Sequence, residues 1–359
     1  MPDRSNPPSA IVSTVIGRRT VLGGMAAAAT ALAAPLPLRA QAPTIVVSMF
    51  GGVVERTFRT ALIEPFEKET GIKVTPKLGA PGEWLTSAIV NRARPEIDVL
   101  WLIFPESIRA TQETDVLLEL SEARIPNLAK VDPVWRRMYK GTGVGHEYAP
   151  FVIGYRTDMI DDPPKSWADF WNPKYAGKIA IPDIVSPGGW ELLMVAAKQN
   201  GGSETNAGPG IEAIGKLKPS VKRFYKNLTE AANLLETGEA AVVGPITDFR
   251  VYALQDQGKP VRVVEASEGT LPSFVSFHIA KNTAHREAAE RFVDFAMSQR
   301  GLTDFCNALI CGPTRPDVTL SGKAAERAVP SSRLIIFDWP TVVPLMGRYT
   351  EMWNRTIGR

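Results

Sequence analysis

"IVVSMFGGVVERTFRTALIEPFEKETGIKV" (45–74) sets a β-rich apolar run directly before a helical pattern, with Gly51-Gly52 at the joint. In "TIVVSMF" (44–50) β-branched residues dominate, as a buried strand requires. Further on, Phe58, Leu62 and Phe66 recur every four residues and form one apolar stripe. Pro65 lacks an N–H and is expected to kink or restart that helix. The same alternation continues through "DVLWLIF" (98–104), "FVIGYRT" (151–157), "KIAIPD" (178–183), "AAVVGPIT" (240–247) and "SFVSFHIAK" (273–281), all β-rich runs with turn residues near their ends. Between them lie amphipathic segments. In "AHREAAERFVDFAMSQRG", Ala288, Phe292 and Ala296 share a stripe beside Ala289 and Val293, and Gly301 reads as the stop. Repeated β-α alternation predicts an α/β sheet that binds ligands at the carboxyl ends of its strands. The glycine-rich "GTGVGHE" (141–147) reads as a turn.

At 359 residues the chain is long enough for two domains with separate cores. Hydrophobic residues make up 44% and charged residues 22%, the composition of globular material rather than a disordered or membrane chain. The formal charge of +3 comes from the first 40 residues, where Arg4, Arg18, Arg19 and Arg39 oppose Asp3. The remainder is near neutral, which argues against nucleic acid or an anionic membrane as partner. "IGRRTVLGGMAAAATALAAPLPLRAQA" has a basic start, an Ala-rich apolar stretch from Val21 to Ala34, and small residues at a cut after Ala40 or Ala42. That is the pattern of an export signal, and Arg18-Arg19 resembles the twin-arginine type. The run is short and broken by Pro35 and Pro37, unlike a membrane span.

Catalytic machinery is hard to find. His146, His278 and His285 have no metal-ligand spacing, and no Gly-x-Ser-x-Gly elbow or phosphate loop occurs. Neither a metal nor a cofactor is expected. Cys306 and Cys311 can bridge in an oxidising compartment, although a four-residue gap fixes no geometry.

The 45–74 stretch resembles the opening of the solute-binding proteins of ABC importers, specifically the group that includes spermidine/putrescine-binding proteins. "PEIDVLW" (95–101), "PPKSWADFWNPKYAGKIAIPD" (163–183), "LETGEAAVVG" (235–244) and "EGTLPSFVSFHIAKNTAHREAAERFVDF" (268–295) follow in the order and spacing of that group. The resemblance implies the two-lobe periplasmic binding protein fold (type II): each lobe a mixed sheet flanked by helices, joined by two crossing strands, with solute held between the lobes. After the signal (1–42), lobe 1 would take 43–150 and 277–320 and lobe 2 would take 151–276. A C-terminal helical segment (321–359) would pack on both. The crossings would lie near Ala149–Arg156 and Phe274–Lys281, and the aromatics from Trp167 to Tyr175 would form a small core where lobe 2 begins.

Strand ends then nominate the ligand-binding residues. Phe50, Gly51 and Gly52 end the first strand, and Phe104 ends the second. Asp183 follows "KIAIP" ahead of a helix start at Gly188–Trp190, which Ser186 would cap and which suits a carboxylate or phosphate. Thr247, Asp248 and Arg250 follow "AAVVGP", and Phe274 and Ser276 lie on the returning strand. Each has a plainer structural use: turn glycines, core packing, a capped helix, an Asp–Arg surface pair.

The resemblance makes a polyamine or related amine the default solute. Polyamine-binding members hold ammonium groups with carboxylates and clamp the methylenes between rings. The aromatic-x-Asp of those members reads Phe274-Val275-Ser276 here, so a carboxylate is missing. An amino-acid-like or carboxylated solute bound by Arg250 and the Gly188 helix start is the alternative. Ferric-binding relatives use adjacent tyrosines, and this chain has no Tyr-Tyr pair. The implied partners are the small solute and the permease subunits of an ABC transporter, with the chain itself a monomer in the periplasm. From another class, an exported enzyme can reuse the fold, as porphobilinogen deaminase does, and a purely sensory role has the same sequence pattern.

Overall fold

The computed structural model describes residues 43–113 and 115–358, so the export segment read at 1–42 lies outside the described residues. Ten strands form one mixed sheet: β1 (Thr44–Met49), β2 (Lys73–Leu78), β3 (Val99–Ile103), β4 (Val144–Arg156), β5 (Ile179–Pro182), β6 (Val221–Tyr225), β7 (Val242–Thr247), β8 (Val261–Val264), β9 (Leu271–Ile279) and β10 (Gly312–Pro313). Their order is β2-β1-β3-β9-β4-β7-β5-β6, with β8 and β10 also paired to β4. β1 is parallel to β2 and β3, and β5 is parallel to β6 and β7. Two antiparallel strands join these parallel sets. β9 pairs with β3 through residues 275–279 and with β4 through 271–277. β4 in turn pairs with β7 through 151–155. The thirteen residues of β4 therefore reach from one set to the other.

Two local readings are corrected. The segment 144–147 is the first part of β4, not a turn. Gly143 just before it and Gly145 within it mark close approach instead: a Cβ on Gly143 would stand 2.3 Å from the His278 ring, and one on Gly145 would stand 3.0 Å from Trp135 Cβ. Gly301 does not stop the preceding helix, which ends at Ala296. It lies in the first turn of the next one, Gln299–Leu309, where its N–H donates to the capping Ser298 Oγ at 3.0 Å. Glycine is needed there because a Cβ would meet the Phe295 carbonyl oxygen at 2.5 Å.

Around Pro65 the helix is re-registered rather than broken. A π-helical segment, Phe58–Ile63, lies between α-helical Val53–Thr57 and Glu64–Thr70, with Pro65 in the first turn of the latter. Phe58, Leu62 and Phe66 are fully buried. The Trp167–Tyr175 aromatics pack into the core while their polar atoms find backbone partners. Trp167 Nε1 donates to Gly269 O, Trp171 Nε1 to Ala213 O, and Tyr175 OH to Asp162 O at 2.7–2.9 Å. At the C-terminal end, Trp339 lies 4.3 Å from the Phe104 ring. Helix Met346–Thr356 packs on helix Gly208–Leu217. Its buried Tyr349 donates to Glu204 O at 3.0 Å, and its buried Trp353 meets the Phe224 ring edge-on at 6.2 Å. No helix among the described residues is long and apolar enough to cross a membrane.

Candidate functional site

A cavity of about 630 Å³ opens where the ends of β1 and β3 face the segment 185–191 that follows β5. Four rings line it: Phe50, Phe104, Phe151 and Trp190. Phe50 is braced by Trp84 at 5.4 Å and Trp101 at 5.7 Å, and Phe104 by Trp339 and Phe274. Ser186 and Ser273 add hydroxyls. Glu106 and Glu191 are the two charged side chains among the described residues lining it. Rings backed by other rings are held in place, so a ligand would meet a preformed wall.

The local chain path explains how Glu191 reaches this position. Gly188 has φ 88, left-handed backbone that glycine adopts without strain, and it caps the helix Gly189–Gln199. A Cβ on Gly189 would meet the carbonyl oxygens of Asp183 and Ile184 at 2.4 and 2.5 Å, so this turn tolerates no side chain. Gly189→Ala is expected to cost about 1–3 kcal/mol, measured as a lower midpoint in urea unfolding. One turn into the helix, Glu191 is 3% exposed. Burial pushes its carboxyl up to about 7, and hydrogen bonds from the backbone N–H groups of Glu191 and Gly188 pull in the opposite direction. The helix start thus already has a carboxylate of its own. Ser186 does not cap it: its Oγ is buried and without a hydrogen-bond partner, on the cavity wall.

Four of the residues nominated from the sequence line the cavity together: Phe50, Phe104, Gly188 and Trp190. Gly51 and Gly52 follow Phe50 and are exposed; Gly52 has φ 73. Asp183 uses its side chain in the turn, accepting from Val185 N–H at 3.4 Å. Thr247 ends β7, buried with an unpartnered Oγ1. Asp248 opens the next helix, 2% exposed, its carboxyl raised to about 7 first by burial. Arg250 holds its guanidinium 5.4 Å over the Phe249 ring, and neither it nor Asp248 lines the cavity. Phe274 is buried against Phe104 and Trp135. Ser276 is also fully buried, its Oγ 2.8 Å from His278 Nε2 and 3.3 Å from Leu102 O. Side chains alternate across a strand, so a shift of one residue exchanges faces. On β9 it is Ser273, one residue before Phe274, that meets the cavity.

Glu106, Phe151, Glu191 and Ser273 escaped the sequence reading. Phe151 was visible as the start of a strand, but nothing in the sequence told which way it faces. His146 and His278 lie elsewhere, fully buried. Trp101 Nε1 approaches His146 Nδ1 at 3.3 Å, and Thr142 O lies 2.9 Å from His278 Nδ1. Burial holds their pKa values down near 3 and 4. No group of three or more His, Cys, Asp or Glu among the described residues can hold a metal ion. The arrangement is suited to holding an apolar chain that bears positive charge.

Comparison with known proteins agrees with this architecture. The Escherichia coli (strain K12) spermidine/putrescine-binding periplasmic protein is 27% identical over 252 residues, 66% of this chain and 68% of that one. The Pseudomonas aeruginosa gamma-aminobutyric acid-binding protein is 25% identical over 334 residues, covering 88% and 87%. The crystal structure of an ABC transporter from Clostridium perfringens superposes with a TM-score of 0.78 at 25% identity, covering 87% of this chain and 99% of that one. The profile of the bacterial extracellular solute-binding proteins matches residues 61–330. With that match across most of its length, the chain belongs to the bacterial extracellular solute-binding protein family.

Proposed function

We propose that the chain captures an organic amine in the cavity between β1, β3 and the 185–191 segment and delivers it to the permease of an ABC transporter from the periplasm. One observation carries the choice of solute. Both charged residues lining the cavity are carboxylates, Glu106 and Glu191, set among four aromatic rings. An ammonium group gains there from charge pairing and from ring faces, and a methylene chain from the apolar wall. A carboxylated solute finds less: Glu191 accepts from the Gly188 N–H at the helix start, and Arg250 is not on the wall. The named ligands of the E. coli and P. aeruginosa relatives, spermidine/putrescine and gamma-aminobutyric acid, all carry an amine. In this reading Phe50, Phe104, Phe151 and Trp190 clamp the solute, Glu106 and Glu191 hold its ammonium groups, and the unpartnered Ser186 Oγ accepts a hydrogen bond from one of them.

Thermal-shift screening of putrescine, spermidine, gamma-aminobutyric acid and an amine-free dicarboxylate tests the assignment. Amines are expected to raise the melting temperature, with about 2.7 kcal/mol of stabilisation at a hundred times Kd. Stabilisation by the dicarboxylate alone would overturn the choice of amine. Binding is also expected to close the two halves of the sheet on the solute, which small-angle scattering reads as a smaller radius of gyration. An unchanged radius with a verified tight ligand rules out closure.

A further inference from the structure

The helix Gln299–Leu309 ends in an unusual way for this sequence. Ile310 takes a left-handed conformation, φ 56 and ψ 60, which isoleucine seldom adopts. Cys311 N–H then donates to Cys306 O at 3.2 Å. That six-to-one bond is the Schellman closure, and it brings the side chains of its first and last residues together. Here both are cysteines, so the helix end supplies the geometry that a four-residue gap alone does not. The Cys311 thiol lies against the Cys306 thiol and the Glu147 carboxyl. Cys306 is fully buried and Cys311 is 5% exposed. The next two residues, Gly312 and Pro313, form β10 and pair with Tyr148 and Glu147 of β4. The two thiols therefore lie where the C-terminal part of the chain joins the crossing strand.

We propose that Cys306 and Cys311 are a disulfide-forming pair, closed by exchange with a small-molecule or protein-borne disulfide, that fastens the end of this helix to the strand paired with β4. Cys311, the more exposed of the two residues, attacks the external disulfide as thiolate. One external sulfur leaves as a thiolate and takes up the proton that Cys311 lost. The Cys306 sulfur then attacks Cys311 Sγ in the mixed disulfide, and the second external sulfur leaves with the Cys306 proton. Two protein thiols are oxidised to one disulfide, and one external disulfide is reduced to two thiols. Burial and the neighbouring Cys306 and Glu147 push the Cys311 thiol well up, so thiolate is scarce in the folded chain. Closure therefore waits on opening of the helix end, and the closed bond is shielded from reductant by the same burial. The pair does not line the amine cavity, so this inference stands or falls apart from the choice of solute.

The test uses the full chain, reduced and then incubated with oxidised glutathione in urea just below the unfolding transition. The expected product has lost about 2 Da and has no alkylatable thiol after denaturation. Its melting temperature should exceed that of the reduced chain by roughly 4 °C. Cys306→Ser should stop at a single glutathione adduct on Cys311, because the resolving thiol is gone. Two alkylatable thiols remaining in the wild type, two glutathione adducts, or a disulfide between chains would each overturn the proposal.

Discussion

Glu191→Gln is expected to weaken amine binding ten- to a hundredfold at pH 8. The substitution keeps the shape of the side chain and removes its charge. A charge-assisted hydrogen bond is worth roughly 1.5–3 kcal/mol, and that sets the range. Burial makes the loss fall toward the upper end, since no water compensates at a carboxylate that is 3% exposed. The ligand-free protein should behave in the opposite way. Raising the carboxyl from 4.5 to about 7 means that ionising it in the empty site costs on the order of 3 kcal/mol. Glutamine avoids that cost, so the unliganded variant should be at least as stable as the wild type at pH 8. Wild-type affinity should also fall as pH drops through about 7, because a protonated carboxyl does not pair with an ammonium group. The variant should lose this dependence. Calorimetric titration of one amine against both proteins at pH 6 and pH 8 measures the affinities and their pH dependence, and urea unfolding of the two ligand-free proteins at pH 8 measures the stability. Equal affinities with parallel pH profiles would place the ammonium group away from Glu191.

This carboxylate was hard to find from the sequence, for a physical reason. In "GGWELL" an acid in the first turn of a helix is the ordinary way to satisfy the dipole, so Glu191 reads as surface capping. Its burial is set by tertiary structure: it lines the cavity opposite Phe50 and Phe104 from distant strands, and Tyr225 of β6 lies near it. The returning strand shows the same limit. Its existence followed from "SFVSFHIAK", but whether Ser273 or Phe274 faces the cavity depends on register, and period-two alternation leaves both faces open when both are apolar. Buried strands were legible because their apolar runs are long. The strands that went unread lack such runs: β2 "KVTPKL" contains a proline, β6 "VKRFY" carries two cations, and β8 and β10 have four and two residues. The start of β4 was obscured by Gly143 and Gly145, whose role is to admit His278 and Trp135, a demand set by tertiary contact.

Buried titratable groups make a second large effect: the ligand-free protein should lose about 3 kcal/mol of stability between pH 6.5 and pH 8. Three acids are responsible. Glu147, Glu191 and Asp248 are each at most 4% exposed, and burial first of all raises their carboxyls to about 8, 7 and 7. A raised acid keeps its proton in the folded state at pH values where the unfolded chain has released it. Stability from such a group is present at low pH and is lost as pH rises toward the folded value. The two buried histidines act in the other direction. Held near 3 and 4, they stay neutral while the unfolded chain protonates below about 6.5, so they favour folding as pH rises to that point and add nothing beyond it. Between pH 4.5 and 6.5 three acids therefore oppose two histidines and stability declines slowly. From 6.5 to 7 the three acids act unopposed, and from 7 to 8 Glu147 continues alone. Urea unfolding of the ligand-free chain at half-unit pH steps resolves these segments. Glu147→Gln should flatten the part above pH 7, and saturating amine should remove the share due to Glu191. Stability that is level or rising from pH 6.5 to 8 would mean that these carboxyls are ionised in the folded protein at neutral pH, with water or a cation beside them.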